Sequence, residues 1–524
     1  MGRKNSRVAF PAVSSRSASA AWLAVFLFLP FLGASESLAF RATVGGKTVD
    51  LDGTLEFREV FEVDEATPED RTLERLRLRV GVDWAEWLSF DSTTVVSHGG
   101  PVGGATGGGI FDLDDAFQDL DPSVDIDEAF LDFRFGALLV RAGKQKFFWG
   151  KLDREQPNDL LNPRRFDDPV LREAEERKIG VPALSFDYAF PTRSWLPEET
   201  RVVLAWVPAY VPFRLPRPGS RWFPPAAEPR QAFSLPPGFF SLPDGSPSPA
   251  LEIPLELQVR NVSPPARTLE NGSFGLRLSG FTRGVDFALY FFRGFDNRPA
   301  VALRSEASLP EGLPSFDPSL VTARNVIEPV FRRVEAWGGD AAYTLGDVTL
   351  RAEAAYVRGR PFVRDLRFLL RDPAVLRSEI ERVFGLFASG ATRVEVRLPP
   401  SFVEKDSVEW GVGGDYLYEG WFFLLQFNQT DILRNEVDLL LEDVETRVTA
   451  EVRKNFWRDR VRIRLVGFHG IEGDYTAWLP RISYFPRDWI EIQGGYVALF
   501  GRTSSVLGQF KDHDQGYVLV RVEF

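Results

Sequence analysis

Residues 73–82 read LERLRLRVGV, with Leu76, Leu78, Val80 and Val82 on one parity and Arg75, Arg77, Arg79 and Gly81 on the other. A period of two means a β-strand whose successive side chains leave opposite faces. Alternation alone also fits a water-soluble sandwich, in which one face is buried and the other wet. The polar parity separates the two cases, because here it holds arginine and glutamate together. The pattern returns at DVTLRAEAAYV, residues 347–357, where Arg351 and Glu353 oppose Leu350, Ala352 and Ala354. It returns again at VETRVTAEVRK, residues 444–454, where Arg447, Glu451 and Arg453 oppose Val448, Ala450 and Val452.

Charges of both signs suit a wet interior, whereas a cation at the bilayer midplane costs about 2–4 kcal/mol. The candidate lumen-lining charges are therefore Arg77, Arg79, Arg134, Arg277, Arg333, Glu335, Arg351, Glu353, Arg447, Glu451, Arg453, Arg462 and Arg464. Aromatics cluster at segment ends, as at Trp84, Trp87, Trp421, Trp478 and Trp489, where a membrane interface favours them.

Eighteen such segments lie between residues 52 and 524, most of about the length a tilted strand needs to cross a bilayer. Links after odd-numbered segments are long, at 98–124, 148–181, 209–271, 294–332 and 359–406, whereas links after even-numbered ones are short, such as Gly136 and Glu419-Gly420. Bacterial barrels have this asymmetry between outer loops and periplasmic turns. The sequence predicts an all-β fold, a transmembrane antiparallel up-and-down β-barrel of about 18 strands (range 14–18), with long extracellular loops and one short loop helix. Residues 40–524 then form a single barrel domain, and an even count returns the C-terminus to the periplasm.

The first 39 residues differ in kind, with Arg3, Lys4, Arg7 and Arg16 preceding the uncharged run Ala18 to Leu32. That run is short for a membrane helix and is broken by Pro30, while Ser37 to Ala39 supplies small residues at a cleavage spacing. Residues 1–39 are expected to be a signal peptide, with the mature start near Phe40. The formal net charge of −12 argues against nucleic acid, which wants a basic footprint. The count of zero cysteines removes disulfides, thiolate metal sites and thiol nucleophiles.

The chain ends in DQGYVLVRVEF, residues 514–524, with Val518, Val520, Val522 and Phe524 on one parity. An apolar alternation closed by a terminal Phe resembles the signal by which the barrel-assembly machinery of Gram-negative outer membranes recognises its clients. The location implied is the outer membrane of a Gram-negative bacterium, with its lipid and that machinery as partners.

Three loop features stand out. Fifteen prolines lie from Pro208 to Pro265, fourteen of them within residues 209–271, which can form a solvated outer loop or a constriction. Residues 373–388 read as an amphipathic helix, with Asp372 as cap, Pro373 at the first helical position and an apolar stripe of Leu376, Ile380, Val383, Phe384 and Phe387 expected to pack within the loop layer. Asp112, Asp114, Asp119 and Asp121 fall in an acidic run that offers oxygen ligands for Ca²⁺, without the glycine and closing glutamate of an EF-hand. No other cofactor or metal is indicated.

The stretch RAGKQKFFWGKLDREQPNDLLNPRRFDDP, residues 141–169, carries Gly143, Lys144, Gln145, Trp149, Gly150, Asp153, Asp159, Leu161, Asn162 and Pro163. In these residues the chain resembles an uncharacterised family of Gram-negative outer-membrane barrels, similar in appearance to alginate-export porins. The resemblance implies a monomeric barrel with long loops and a role in transport or export, with an inner-membrane or periplasmic exporter as a possible partner. On the residues themselves, Trp149 and Gly150 are expected to end a strand at the membrane rim. The charged loop after them is expected to fold inward, as a structural clamp or as a solute contact.

The functional expectation is an outer-membrane channel or porin-like protein for passage or export of polar or anionic solutes or polysaccharide. The alternative is a structural or assembly barrel of the outer membrane, plugged by its own loops and without open-channel activity. Catalysis is not expected, since only His98, His469 and His513 supply imidazole and no G-x-S-x-G motif accompanies them.

Overall fold

The computed structural model describes residues 40–524 apart from 64–70, 100–122, 169–170, 217–219, 224–231, 243–244, 261–264, 267, 299, 313–315, 366–372 and 506. The expected signal peptide, the calcium candidates Asp112, Asp114, Asp119 and Asp121, and the cap candidate Asp372 lie outside the described residues.

The described residues open with the hairpin β1 (Phe40–Val44) and β2 (Lys47–Glu62) and continue through β3 (Arg71–Ala85), β4 (Leu88–His98), β5 (Ser123–Phe135), β6 (Leu138–Gln145), β7 (Val181–Ala189) and β8 (Glu198–Val207). Two short strands, β9 (Ala232–Leu235) and β10 (Leu251–Val259), precede β11 (Ser273–Thr282) and β12 (Val285–Phe295). Then come β13 (Ala300–Ser308), β14 (Thr322–Val330), β15 (Arg333–Leu345), β16 (Val348–Val363), helix α1 (Pro373–Ala388) and β17 (Arg393–Val396). The last run is β18 (Phe402–Tyr418), β19 (Trp421–Ile432), β20 (Val444–Phe456), β21 (Val461–Gly470), β22 (Tyr475–Arg487), β23 (Ile490–Gly501) and β24 (Gln515–Glu523).

Nineteen of these strands form one sheet, and all of them except β1 close into a ring. The order is β2 through β8, then β11, β12, β15, β16 and β18 through β24, with β24 pairing back onto β2 from Glu62↔Gln515 to Thr54↔Glu523. Every pair in this ring is antiparallel, so the barrel is up-and-down with eighteen strands. All eighteen match segments legible in the alternation. No helix among the described residues is long and apolar enough to cross a membrane.

The two faces are inverted relative to a soluble protein. On β19, Leu425 is 61% exposed while its neighbour Gln426 is 1% exposed. Leu204, Leu289, Leu350, Ile463, Ile482 and Ile492 likewise point out. Glu56, Arg58, Glu353, Glu409 and Glu451 are buried inside. Exposed aromatics sit toward the short-turn end, as at Trp84, Trp87, Tyr418 and Trp421, and toward the long-loop end, as at Trp206, Trp337, Trp478 and Phe500. This is the distribution that lipid outside and water inside require.

Closure at the C-terminus rests on a close approach. Phe524 exchanges backbone hydrogen bonds with Gly53 at 2.7 and 2.9 Å, and its ring covers the glycine. A Cβ on Gly53 would lie 2.4 Å from the Arg77 carbonyl oxygen and 2.9 Å from the Phe524 ring. Gly53→Val is therefore expected to lower the yield of folded barrel, read as loss of the heat-modifiable fast band in gel electrophoresis. An unchanged band would show that the seam tolerates a side chain there.

The long-loop end carries a second sheet, in the order β17-β13-β14-β10-β9, built from parts of what the sequence presents as loops 209–271, 294–332 and 359–406. The β10–β14 pair is parallel and the others antiparallel. Helix α1 covers this sheet as its apolar stripe requires, with Ile380, Val383, Phe384 and Phe387 buried against Phe240, Leu251 and Val394. A buried charge cluster ties this cap to the barrel. Arg360 of β16 pairs with Asp296 at 2.8 Å and with Glu409 of β18, and Arg298 also contacts Glu409. Buried pairs of this kind are costly to break, because the remaining charge is stranded.

Candidate functional site: a loop seated in the lumen

The segment after β6 does not stay at the rim. Gly143, at φ 138°, bends the strand end, and the described residues from Lys146 to Gly180 lie inside the barrel. Phe147, Trp149, Leu160, Leu161 and Ile179 pack on small inward residues of the wall, including Ala183, Ala205, Ala288, Ala336 and Ala355. Trp149 is 4% exposed, so the expectation that it marks the membrane rim is corrected. It sits against Gly275 of β11, where a Cβ would lie 2.6 Å from the indole, and glycine there makes the room. The burial of these side chains fixes the loop inside rather than above the barrel.

Polar contacts then fix its path. The Asn162 amide accepts from Phe147 N at 2.7 Å and donates to Ile179 O at 2.8 Å, closing the neck of the loop. Lys178 pairs with Asp159 at 2.8 Å and donates to Phe147 O at 2.9 Å. Burial pushes the Lys178 ammonium below its usual range, against the pull of Asp159. Gln145 donates to Ala183 O and accepts from Ser185 Oγ, while Pro163 O accepts from Ile179 N. Asn297, after β12, donates to Asp159 O at 2.8 Å from the wall side.

The tip crosses to the far wall. Glu353 of β16 accepts backbone N–H groups from Lys151 at 3.0 Å, Leu152 at 3.3 Å and Asn158 at 2.7 Å. Its oxygens lie 2.6 Å from where a Cβ on Gly150 would stand, and Gly150 has φ 99°. Only a residue without a side chain lets the backbone wrap the carboxylate this closely. Gln426 of β19 accepts from Asp153 N at 3.0 Å and Arg154 N at 3.3 Å, and Asn428 donates to Glu155 O. Arg154 meets Glu451, Glu155 meets Arg447, and Asp153 lies 3.3 Å from Arg351. Lys151 reaches Asp286 of β12 at 2.8 Å.

The return limb is held by arginines. Glu173 contacts Arg481 of β22 and lies 3.5 Å from Arg464 of β21, while Glu176 lies 3.3 Å from Arg75 of β3. Burial alone would raise the Glu173 carboxyl, but Arg481 and Arg464, with Arg154, hold it down to about 2. Ties therefore run from the loop to strands spread around the ring, and they narrow the lumen at its waist.

Of the thirteen charges read as lumen-lining, eleven lie on the inward parity. Arg77 faces Asp127 at 3.4 Å, Arg79 faces Asp91 at 2.7 Å, and Arg134 is 3.1 Å from Ser89 Oγ. Arg277 lies beside the Tyr290 hydroxyl at 3.4 Å. Arg351, Glu353, Arg447, Glu451 and Arg464 meet the loop as described, and Arg453 and Arg462 lie on the same wall, Arg453 over the Phe422 ring at 4.1 Å. Arg333 and Glu335 are corrected. They share the outward parity of Trp337, with Glu335 3.4 Å from Arg293 and Arg333 donating to Glu270 O and Gly272 O. β15 starts beyond the aromatic band, where the outer face meets water and parity no longer forbids charge.

The lumen also holds Arg58, Arg481, Arg521, Gln426 and Asn428, and Arg75, which shares the polar parity of Arg77 and Arg79. Their signal was the polar parity of their own strands, as with Arg521 between Val520 and Val522.

Among curated proteins, none matches the chain. Among solved structures, a BenF-like porin from Pseudomonas fluorescens Pf-5 aligns with TM-score 0.45 and 8% identity, over 92% of this chain and 100% of that one. Pseudomonas aeruginosa OccK8 (OprE) aligns with TM-score 0.43 and 9% identity, over 91% and 98%. OmpF of Salmonella typhi aligns with TM-score 0.39 and 10% identity, over 93% and 100%. At these values the fold rests on the strand register itself. A family model does match, over residues 90–452, which is well over half of the 524 residues and takes in the seated loop. The chain belongs to the family described as "Protein of unknown function (DUF1302)".

Proposed function

We propose that the protein is an outer-membrane channel of a Gram-negative bacterium that passes polar, anionic solutes through a lumen narrowed by the 146–180 loop. The observation that carries this reading is the inversion of faces, with leucines and isoleucines outward and opposed arginines and carboxylates inward. Only a closed strand barrel or a helix satisfies its backbone inside lipid. Eighteen strands enclose a bore wide enough for water unless loops fill it. The long-loop end faces outward and the short-turn end the periplasm, with β24 as the strand read by the assembly machinery.

Arginine lining favours anions by field, and sugar acids are the solute class that fits the motif's likeness to alginate-export porins. Direction, uptake or export, follows from the gradient and from any exporter beneath it. A second reading, a barrel plugged by its own loop, is favoured by the number of ties between that loop and the wall. Planar-bilayer recording of purified protein under a KCl gradient tests both. Discrete steps with a reversal potential on the anion side are expected, and a silent bilayer would favour the plugged barrel.

A further inference from the structure

One stretch of the lumen wall has an arrangement that sheet energetics disfavours. Arg453 of β20 stands directly across from Arg464 of β21, and Arg464 directly across from Arg481 of β22. Like charges in opposed cross-strand positions destabilise a sheet. Three guanidiniums in one row need anionic company, and among the described wall residues Glu451 supplies it, 2.9 Å from Arg464 and 3.8 Å from Arg453. The rest comes from the loop, through Glu173 at Arg481 and Arg464.

Beside this row lies a cavity of about 160 Å³. Six arginines line it, Arg58, Arg453, Arg462, Arg464, Arg481 and Arg521, against the three carboxylates Glu173, Glu176 and Glu491. Glu56, behind the lining, pairs with Arg58 and Arg521 at 2.8 Å, and Glu451 pairs with Arg453 and Arg464, yet cationic capacity remains. Arg462 donates to Asn455 at 3.0 Å and stacks 5.1 Å from the Phe485 ring, without an ion pair among the described residues. Nε of Arg58 and Nε of Arg481 are buried with no hydrogen-bond partner among the described residues, and the Arg58 side chain is 5% exposed. Guanidinium forks match carboxylates in bidentate geometry, and an enclosed site strengthens such bonds.

The loop already shows which chemistry fits, since the group placed among these guanidiniums is itself a carboxylate, 42% exposed and carried on the loop rather than on the wall. We propose that this cavity is a binding site for small carboxylate solutes and that Glu173 occupies it as a tethered competitor, which a solute carboxylate displaces. The proposal rests on the channel reading above and names its substrate class. A group on a short tether acts at about millimolar effective concentration or above, so solutes in that range compete with it. Displacement of Glu173 also frees the return limb, which couples occupancy to the width of the waist.

The test is calorimetric titration of the purified full-length protein with succinate. E173Q, which removes the competitor and keeps the shape, is expected to bind succinate about tenfold more tightly than wild type. E173D, with its carboxylate drawn back by one methylene, should fall between them. Adding R481Q to E173Q should reverse the gain. The proposal is overturned if E173Q and E173D, both migrating as folded barrels, bind succinate no better than wild type. It is overturned equally if phosphate or glucose binds as tightly as succinate. Bilayer recording of the same samples separates the two readings. Anion-selective steps without a gain in E173Q remove the binding site alone, whereas tightened succinate binding in a protein that never conducts removes the channel and keeps the site.

Discussion

Replacing Glu353 and Gln426 together with leucine is expected to unseat the loop and raise single-channel conductance several-fold. Glu353 accepts three backbone N–H groups of the loop and Gln426 accepts two more. Two of these donors, Leu152 N and Asn158 N, are buried, and each buried donor left without a partner costs about 1–3 kcal/mol. These losses, with the three further bonds that disappear, oppose what Arg154 and Glu155 retain through Glu451 and Arg447. The leucines also fill the volume with groups that cannot replace the bonds. Trypsin added to the outside should then cut at Lys151 or Arg154, which the seated loop protects. Unchanged conductance together with unchanged protection would mean that packing by Phe147, Trp149 and Ile179 suffices to hold the loop.

The second large effect is on selectivity. Converting Arg462 and Arg464 to glutamate changes the lumen charge by four units on one wall, within reach of Arg453, Arg481 and Glu451. In a narrow bore with low-dielectric walls, such a change dominates the potential felt by a permeating ion. R462E/R464E is expected to move the reversal potential under a KCl gradient from the anion to the cation side, more strongly at low salt because screening is weaker there. An unmoved reversal potential would place these arginines away from the ion path.

The barrel was legible because its signal is repeated. Each strand has to show apolar residues to one side and polar ones to the other, and a one-residue slip would put arginine into lipid. The cap sheet escaped for the opposite reason. LEIPLELQV, β10, contains Pro254, which reads as a strand breaker, yet it sits at the end of the ladder opposite Ala232. Strands β13 and β14 carry Arg304, Glu306, Arg324 and Glu328 among small and apolar residues without a clean alternation. Helix α1 showed itself because its stripe at 3.6-residue spacing is strong and Pro373 marks its start.

In the site, the motif from Gly143 to Pro163 was visible as a pattern, but its purpose was not. Gly150 is required by the carboxylate of Glu353, some 200 residues away in sequence, and Asn162 by the neck that it closes. Local sequence holds no trace of such partners. Arg333 and Glu335 were misplaced because alternation reports parity and not height along the barrel. Beyond the aromatic band, both faces of a strand tolerate charge.

The loop after β6 lies inside the closed ring, where Glu155 meets Arg447 of β20. The chain has no cysteine, so a pair introduced as Glu155→Cys and Arg447→Cys can be probed in intact outer membranes with a short bis-maleimide. Because Glu155 and Arg447 are in contact, an efficient intramolecular cross-link is expected, with slow labelling of position 155 by a membrane-impermeant maleimide added from outside. Rapid external labelling at that position with no cross-link would put the loop above the barrel and contradict this placement.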